Sequence, residues 1–165
     1  MTREGDALRK RALFEAWMAE HQPFSVPLAE KGEPIHRRSV MARLTSLAGR
    51  QKAAEYVYVL SERRPDEVTP AYIGKTRSPA ARWNQHLTAL AQGEAHYARW
   101  RQRFLREGHE TVRFDLDLLV VGEPHIAFPP LPGFPTTIGA VEYQLVGLAA
   151  DAYPLRLLNH EGQAR

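Results

Sequence analysis

Apolar and polar residues alternate most cleanly over Thr111–Val121. Val112, Phe114, Leu116, Leu118 and Val120 fall on one side, Arg113, Asp115 and Asp117 on the other. That period of two predicts a half-buried strand. Glu55–Leu60 is aromatic and β-branched and predicts another strand. Ala71–Lys75 predicts a third, and the polar Ser61–Pro70 between them, with Pro65 and Pro70, reads as the turn of a hairpin. Elsewhere the spacing is helical. A helix capped by Asp6 and running to about His21 carries Leu13, Phe14, Trp17 and Met18 on one face. A second, Ser39 to about Ala54, turns Met41, Leu44 and Leu47 inward. Between these two, Gln22–Arg38 holds Pro23, Pro27, Gly32 and Pro34 and predicts an irregular connector.

Ser78-Pro79 is a helix start, a hydroxyl cap followed by proline in the first turn, and Gly93 can end that helix after Gln92. A further helix is expected over about Glu94–Glu107, ended by Gly108, with Tyr97, Trp100 and Phe104 in the core. Glu123–Gly139, with Pro124, Pro129, Pro130, Pro132 and Pro135, predicts a loop, and Ala140–Asp151 a final helix. The pattern gives a mixed α/β (α+β) fold: a small three-stranded antiparallel sheet flanked by helices. It divides the chain into an N-terminal helical extension, residues 1–54, and a domain over 55–165.

Composition narrows the picture little. The chain has 165 residues, 44% hydrophobic and 25% charged, which is ordinary for a globular domain with a real core. It has no cysteine, which fits a reducing cytoplasm. Neither a secretory signal nor a run of the roughly 20 apolar residues that a membrane span needs is expected. The net charge is +3, and the basic residues cluster. Arg37, Arg38, Arg43, Arg50 and Lys52 form one group and Arg99, Arg101, Arg103 and Arg106 another. Such clusters suit a polyanion or, equally, a solvated helix face.

A few residues could carry chemistry. Arg82 and His86 lie four apart on a helix, so both project along one edge of it. A guanidinium grips a phosphate at two points, and a histidine beside it can move a proton. Glu142 is the one charged residue of Ala140–Ala150, a stretch apolar nearly all round and expected to be buried. A buried carboxylate needs an arginine, hydrogen bonds or a cation such as Mg²⁺ beside it. Tyr56 and Tyr58 share a strand face, Tyr72 lies on the paired strand, and Lys75 follows Tyr72-Ile73-Gly74. A nearby cation would lower a tyrosine pKa, and Gly74 would admit a ligand or another backbone. Asn159 reads alone as a turn or cap asparagine.

Taken in order, Tyr56-Val57-Tyr58, Tyr72-Ile73-Gly74, Arg82, His86, Glu142 and Asn159 resemble the motif series of the GIY-YIG nucleases over about Glu55–Gly162. The resemblance implies a three-stranded catalytic core that hydrolyses DNA phosphodiesters with one divalent metal, Mg²⁺ or Mn²⁺. By the same resemblance Glu142 holds the metal, and Tyr58 takes a proton from water or relays it. Lys75 favours the tyrosinate, Arg82 stabilises the phosphorane-like transition state, Tyr72 and His86 position phosphate or water, and Asn159 supports the site. Two departures stand out: Tyr56 occupies the place of the first motif's glycine, and the stretches 61–70 and 123–139 are extended. DNA contacts are expected from the extension and these loops, through Arg37, Arg38, Arg63, Arg64, Arg77, Arg99 and Arg103, since the core is too small for much readout. Restriction or defence is the expected role, with a repair or recombination nuclease and a catalytically silent DNA-binding module as alternatives. Duplex DNA is the expected partner. Cutting both strands with one site per chain requires a homodimer or two successive nicks.

Overall fold

The computed structural model describes residues 2–93, 95, 97–106 and 110–159. Eleven segments form in order: α1 (Arg3–Glu20), a 3-10 turn (Gln22–Phe24), β1 (Ser25–Ala29), α2 (Arg37–Gln51), β2 (Tyr56–Arg63), β3 (Val68–Thr76), α3 (Pro79–Gln92), α4 (Tyr97–Phe104), β4 (Asp115–Gly122), a second 3-10 turn (Glu123–His125) and α5 (Ile138–Ala152). The fold is α+β.

The sheet has four strands in the order β1-β4-β2-β3, every neighbouring pair antiparallel. The expected count of three missed β1, which lies inside the stretch read as a connector. Pro27 hides it, because proline argues against a strand in general but is tolerated on an edge, where no partner needs its missing N–H. The ladder with β4 is irregular between Pro27 and Ala29.

Alternation along the strands decides which helices cover which face. Tyr56, Tyr58, Leu60, Leu116, Leu118 and Val120 share a core with Val40, Leu44 and Leu47 of α2, Trp83 and Leu87 of α3, and Trp100 and Phe104 of α4. Val57, Val59, Ile73, Leu119 and Val121 pack instead on Phe14 and Trp17 of α1 and Val141, Leu145 and Leu148 of α5. The sheet is therefore buried on both sides, and β4 from Leu118 onward loses the half-exposed pattern expected of it. Its first residues, Thr111–Phe114, lie outside the strand.

Other boundaries move by a turn or less for identifiable reasons. Thr2 caps α1, its Oγ1 accepting from Gly5 N at 3.0 Å, which places Asp6 in the first turn. The helix α2 begins at Arg37, two residues before Ser39. The β2–β3 hairpin is longer than expected: its turn shrinks to 64–67, closed by Arg64 N to Glu67 O at 2.8 Å, and a register shift after Leu60 lets Pro70 pair with Ser61. The helix expected over Glu94–Glu107 is α4, and Glu94, Glu107 and Gly108 lie outside the described residues. Among the described residues no helix is long and apolar enough to cross a membrane.

Candidate functional site

The site begins at a cross-strand pair. Tyr58 on β2 stands opposite Gly74 on β3, and a Cβ at Gly74 would lie 2.4 Å from the Tyr58 hydroxyl and 2.5 Å from Cζ. The close approach that Gly74 permits is thus made by the Tyr58 ring, not by a ligand or another backbone. Two residues before Gly74, Tyr72 brings a second phenol, the two ring centroids 6.1 Å apart and nearly parallel.

The helix α3 supplies the next groups. Its apolar stripe buries Trp83, Leu87 and Leu90, and Arg82 emerges exposed. His86 does not follow Arg82 to the helix edge: it is 2% exposed, enclosed by Tyr58, Tyr72, Trp83, Tyr97 and Trp100. The i, i+4 spacing gave the direction correctly, but α4 closes over that half of the helix. Tyr58 Oη lies 3.1 Å from His86 Nε2, and Tyr97 Oη lies 2.7 Å from His86 Nδ1. The enclosed imidazole is thus held against the Tyr58 hydroxyl rather than presented to solvent. Neither Tyr97 nor the Trp83–Trp100 pair was singled out for the site by sequence. The only signal was the helical spacing of Tyr97, Trp100 and Phe104, which read as core.

The third contributor is α5. Glu142 is half-buried rather than enclosed, because α5 buries one face only and leaves Tyr143 83% exposed on the other. Burial raises the Glu142 carboxyl above its ordinary value; Lys75 opposes this and Glu55 adds to it. Lys75, exposed at the end of β3, reaches toward the start of α5, where its Nζ lies 3.5 Å from the position a Cβ would take at Gly139. It is therefore a countercharge of Glu142. Burial, the largest effect, pushes the Tyr58 phenol up strongly, and Tyr72 and Glu142 push the same way, while Arg82 beside the hydroxyl pulls it down. Tyr72 is also raised by burial, again with Arg82 opposing and Glu142 reinforcing. These relations join Tyr58, Tyr72, Arg82 and Glu142, from β2, β3, α3 and α5, in one electrostatic neighbourhood.

Asn159 holds the outer edge of β3. Its Oδ1 accepts from Ile73 N at 2.9 Å and its Nδ2 donates to Ile73 O at 2.6 Å, and Leu158 N donates to Ala71 O at 2.7 Å. The side chain therefore takes the place of a missing neighbour strand beside Tyr72 and Gly74.

The arginines proposed to meet DNA divide. Arg38, Arg77 and Arg99 are exposed. Arg37, also exposed, donates from Nε to Asn84 Oδ1 at 2.8 Å and from Nη2 to Thr88 Oγ1, tying α2 to α3. Arg63 pairs with Asp117 at 2.9 Å and with Asp115 at 3.9 Å. Arg64 and Arg103 do not face solvent as free cations: both grip the fully buried carboxylate of Glu62, at 2.9 and 2.5 Å. The clustering of basic residues was visible in the chain, but the buried acid on β2 that claims two of them was not.

Whether a divalent cation suits the site turns on its donors. Among the described residues no group of three or more His, Cys, Asp or Glu gathers. A single half-buried carboxylate with an elevated pKa suits a hard cation that takes its other ligands from water and phosphate. Comparison with protein-family models, curated proteins and solved structures returns no match.

Proposed function

We propose that this protein is a divalent-metal-dependent DNA endonuclease that hydrolyses phosphodiester bonds, as its resemblance to the GIY-YIG nucleases implies. One observation carries the reading: residues 58, 72, 82 and 142, far apart in the chain, supply two phenols, a guanidinium and a carboxylate that act on one another. That set matches the needs of phosphodiester hydrolysis, which are proton removal from water, neutralisation of charge building on phosphate, and help for the leaving oxygen.

Glu142 would hold Mg²⁺ or Mn²⁺, with Lys75 keeping the carboxylate ionised until the cation arrives. When bound, the cation neutralises phosphate charge and acidifies a coordinated water. Arg82, exposed and rigidly based on α3, would donate to the non-bridging oxygens as the phosphorus gains its fifth oxygen. Tyr58 would accept the water's proton. Its phenol is strongly raised in the free protein, so the tyrosinate is scarce, and Arg82 and the added positive charge of the loaded site are what increase its share. Tyr72 would orient the attacked phosphate, and His86 would hold the Tyr58 oxygen in place. Duplex DNA is the proposed partner and the cytoplasm the proposed setting. Exposed Arg38, Arg77 and Arg99 are the arginines best placed for backbone contact, and a homodimer would serve to cut both strands.

The test is incubation with mixed-sequence plasmid and with branched DNA, with Mg²⁺, Mn²⁺ or chelator, beside Glu142→Ala. Metal-dependent cutting is expected, reduced at least a hundredfold in the variant while its gel-shift affinity for DNA persists. Discrete fragments would assign restriction, and cutting confined to branched DNA would assign repair. Binding without cutting in every condition would replace the enzyme with a DNA-binding module.

A further inference from the structure

Three cations outside the site share one hollow. Lys31, Arg106 and Arg113, all exposed, line it together with Gly32, Val112 and the half-buried Phe114. They come from three segments that backbone bonds lock together. Gly32 N donates to Val112 O and Val112 N to Glu33 O, each at 2.9 Å. Arg106 N donates to Thr111 O at 2.9 Å and Arg113 N to Phe104 O at 2.8 Å. Arg113 is fixed by its side chain as well, Nε donating to Leu105 O at 2.8 Å. Like charges gathered on a rigid frame repel, and an anion seated among them removes that cost. The acids described nearby are engaged elsewhere. Asp115, which accepts from Lys31 N, meets Arg63 together with Asp117. Glu110 takes Arg101, Glu62 lies between Arg64 and Arg103, and Glu30 and Glu33 line a separate hollow against α2. Arg64 brings a further cation to the rim, its guanidinium 4.3 Å over the Phe114 ring.

The hollow lies at the far end of β4 from the candidate site. Phe114 precedes the first residue of β4, and Val120 near its end is the ladder partner of Tyr58. At about 3.3 Å per residue, the hollow is roughly 20 Å along the sheet from Tyr58. Phe114 continues the parity of Leu116, Leu118 and Val120, which share the sheet face of Tyr58. The helix α4 spans the interval on that face, from Tyr97 at His86 to Phe104 at the hollow. We propose that Lys31, Arg106 and Arg113 form a second phosphate-binding site, which grips the backbone of a DNA duplex roughly six nucleotides from the cut, since a strand advances about 3.4 Å per phosphate. Guanidinium forks match phosphate oxygens in pairs, and the lysine adds a point charge. Contacts of this kind set register and orientation and read no sequence. The cut rests on the nuclease reading above; the grip on the duplex does not.

The experiment is fluorescence anisotropy of the full chain on a mixed-sequence duplex of about three times that span, in chelator, between about 50 and 200 mM salt. Wild type is compared with Lys31→Gln/Arg106→Gln and with Arg3→Gln/Arg9→Gln. The second pair removes the same charge from exposed positions on α1, which covers the opposite face of the sheet. Each lost phosphate contact flattens the plot of log affinity against log salt by about 0.9. The hollow variant is therefore expected to lose about 1–2 units of slope, and the α1 variant to keep the wild-type slope. A hollow variant with the wild-type slope overturns the proposal, and so does an equal loss in both variants, which would mean net charge alone. Should the double variant not fold, Lys31→Gln alone decides, at about half the change. A wild type that binds no duplex overturns the proposal together with DNA as the partner. A wild type that cuts nothing with Mg²⁺ or Mn²⁺, yet loses slope only through the hollow, upholds the phosphate site and fails only the nuclease reading.

Discussion

Gly74 shows how one absent methyl group shapes the site. Replacing a strand glycine by alanine ordinarily stabilises by about 0.5–1 kcal/mol, because the unfolded chain loses freedom. At Gly74 the added Cβ would lie 2.4 Å from the Tyr58 hydroxyl, and the phenol has little room to retreat. The Trp83 ring meets it edge-on at 5.3 Å and His86 lies against its hydroxyl. The clash should therefore decide the sign: Gly74→Ala is expected to cost about 1–3 kcal/mol, the range for overpacking, measured by urea denaturation. An unchanged or raised midpoint would show that the ring can move aside and that the approach is looser than its geometry implies. The motif Tyr72-Ile73-Gly74 was legible in the chain, and so was Tyr58. That one fills the space left by the other was not, because cross-strand register is set by the turn between them. The fate of His86 was hidden for a similar reason: helical spacing gives a direction, and only the packing of α4 says whether that direction is open.

At the level of elements, legibility followed pattern strength. The long helices and β2, β3 and β4 each carry a run of apolar residues at one period, and all were found within a turn. Ser25–Ala29 is short and interrupted by Pro27, so nothing local marks it as the strand that completes the sheet. The second cover on β4 was equally invisible, since α1 and α5 come from opposite ends of the chain. Glu62 illustrates the same gap. Its parity on β2 places it with Tyr58 and Leu60 toward α4, inside a core, and its side chain is 0% exposed between Arg64 and Arg103. Arg64 in turn lies 4.3 Å over the Phe114 ring. Removing the carboxylate strands two half-buried guanidinium groups, so Glu62→Ala is expected to cost about 3–5 kcal/mol. Replacing the pair together, Glu62→Leu with Arg103→Met, should recover most of that loss, because a packed apolar pair avoids the desolvation that an ion pair must overcome. Thermal melts of the three proteins check this. A single variant within about 1 kcal/mol of wild type would mean that water reaches the pair and screens it.

Across the whole molecule, the proline-rich stretch between β4 and α5 decides how Glu142 is presented, and it is held from both ends of the chain. Gln144 on α5 accepts from Leu131 N at 3.0 Å and donates to Pro135 O at 2.7 Å. From the other side, Trp17 Nε1 donates to Phe128 O at 3.0 Å. His21 completes the clasp: Nδ1 donates to Trp17 O at 2.7 Å and Nε2 accepts from Ala127 N at 3.0 Å. The bond that Nε2 accepts requires the neutral ring, and burial holds its pKa below the ordinary value of about 6.5. Protonation would turn an N–H toward the Ala127 N–H and break the clasp. Because the folded value is depressed, the unfolded chain binds more protons between the two values. The contribution of His21 is thus complete above about pH 6.5 and is lost as pH falls below it, at no more than about 1.4 kcal/mol per pH unit. Urea midpoints from pH 8 to 5 should fall in wild type. In His21→Gln the midpoint should start lower at pH 8 and decline less steeply below pH 6.5. Parallel slopes in the two proteins would place the acid sensitivity elsewhere and leave the loop's attachment to α1 independent of pH.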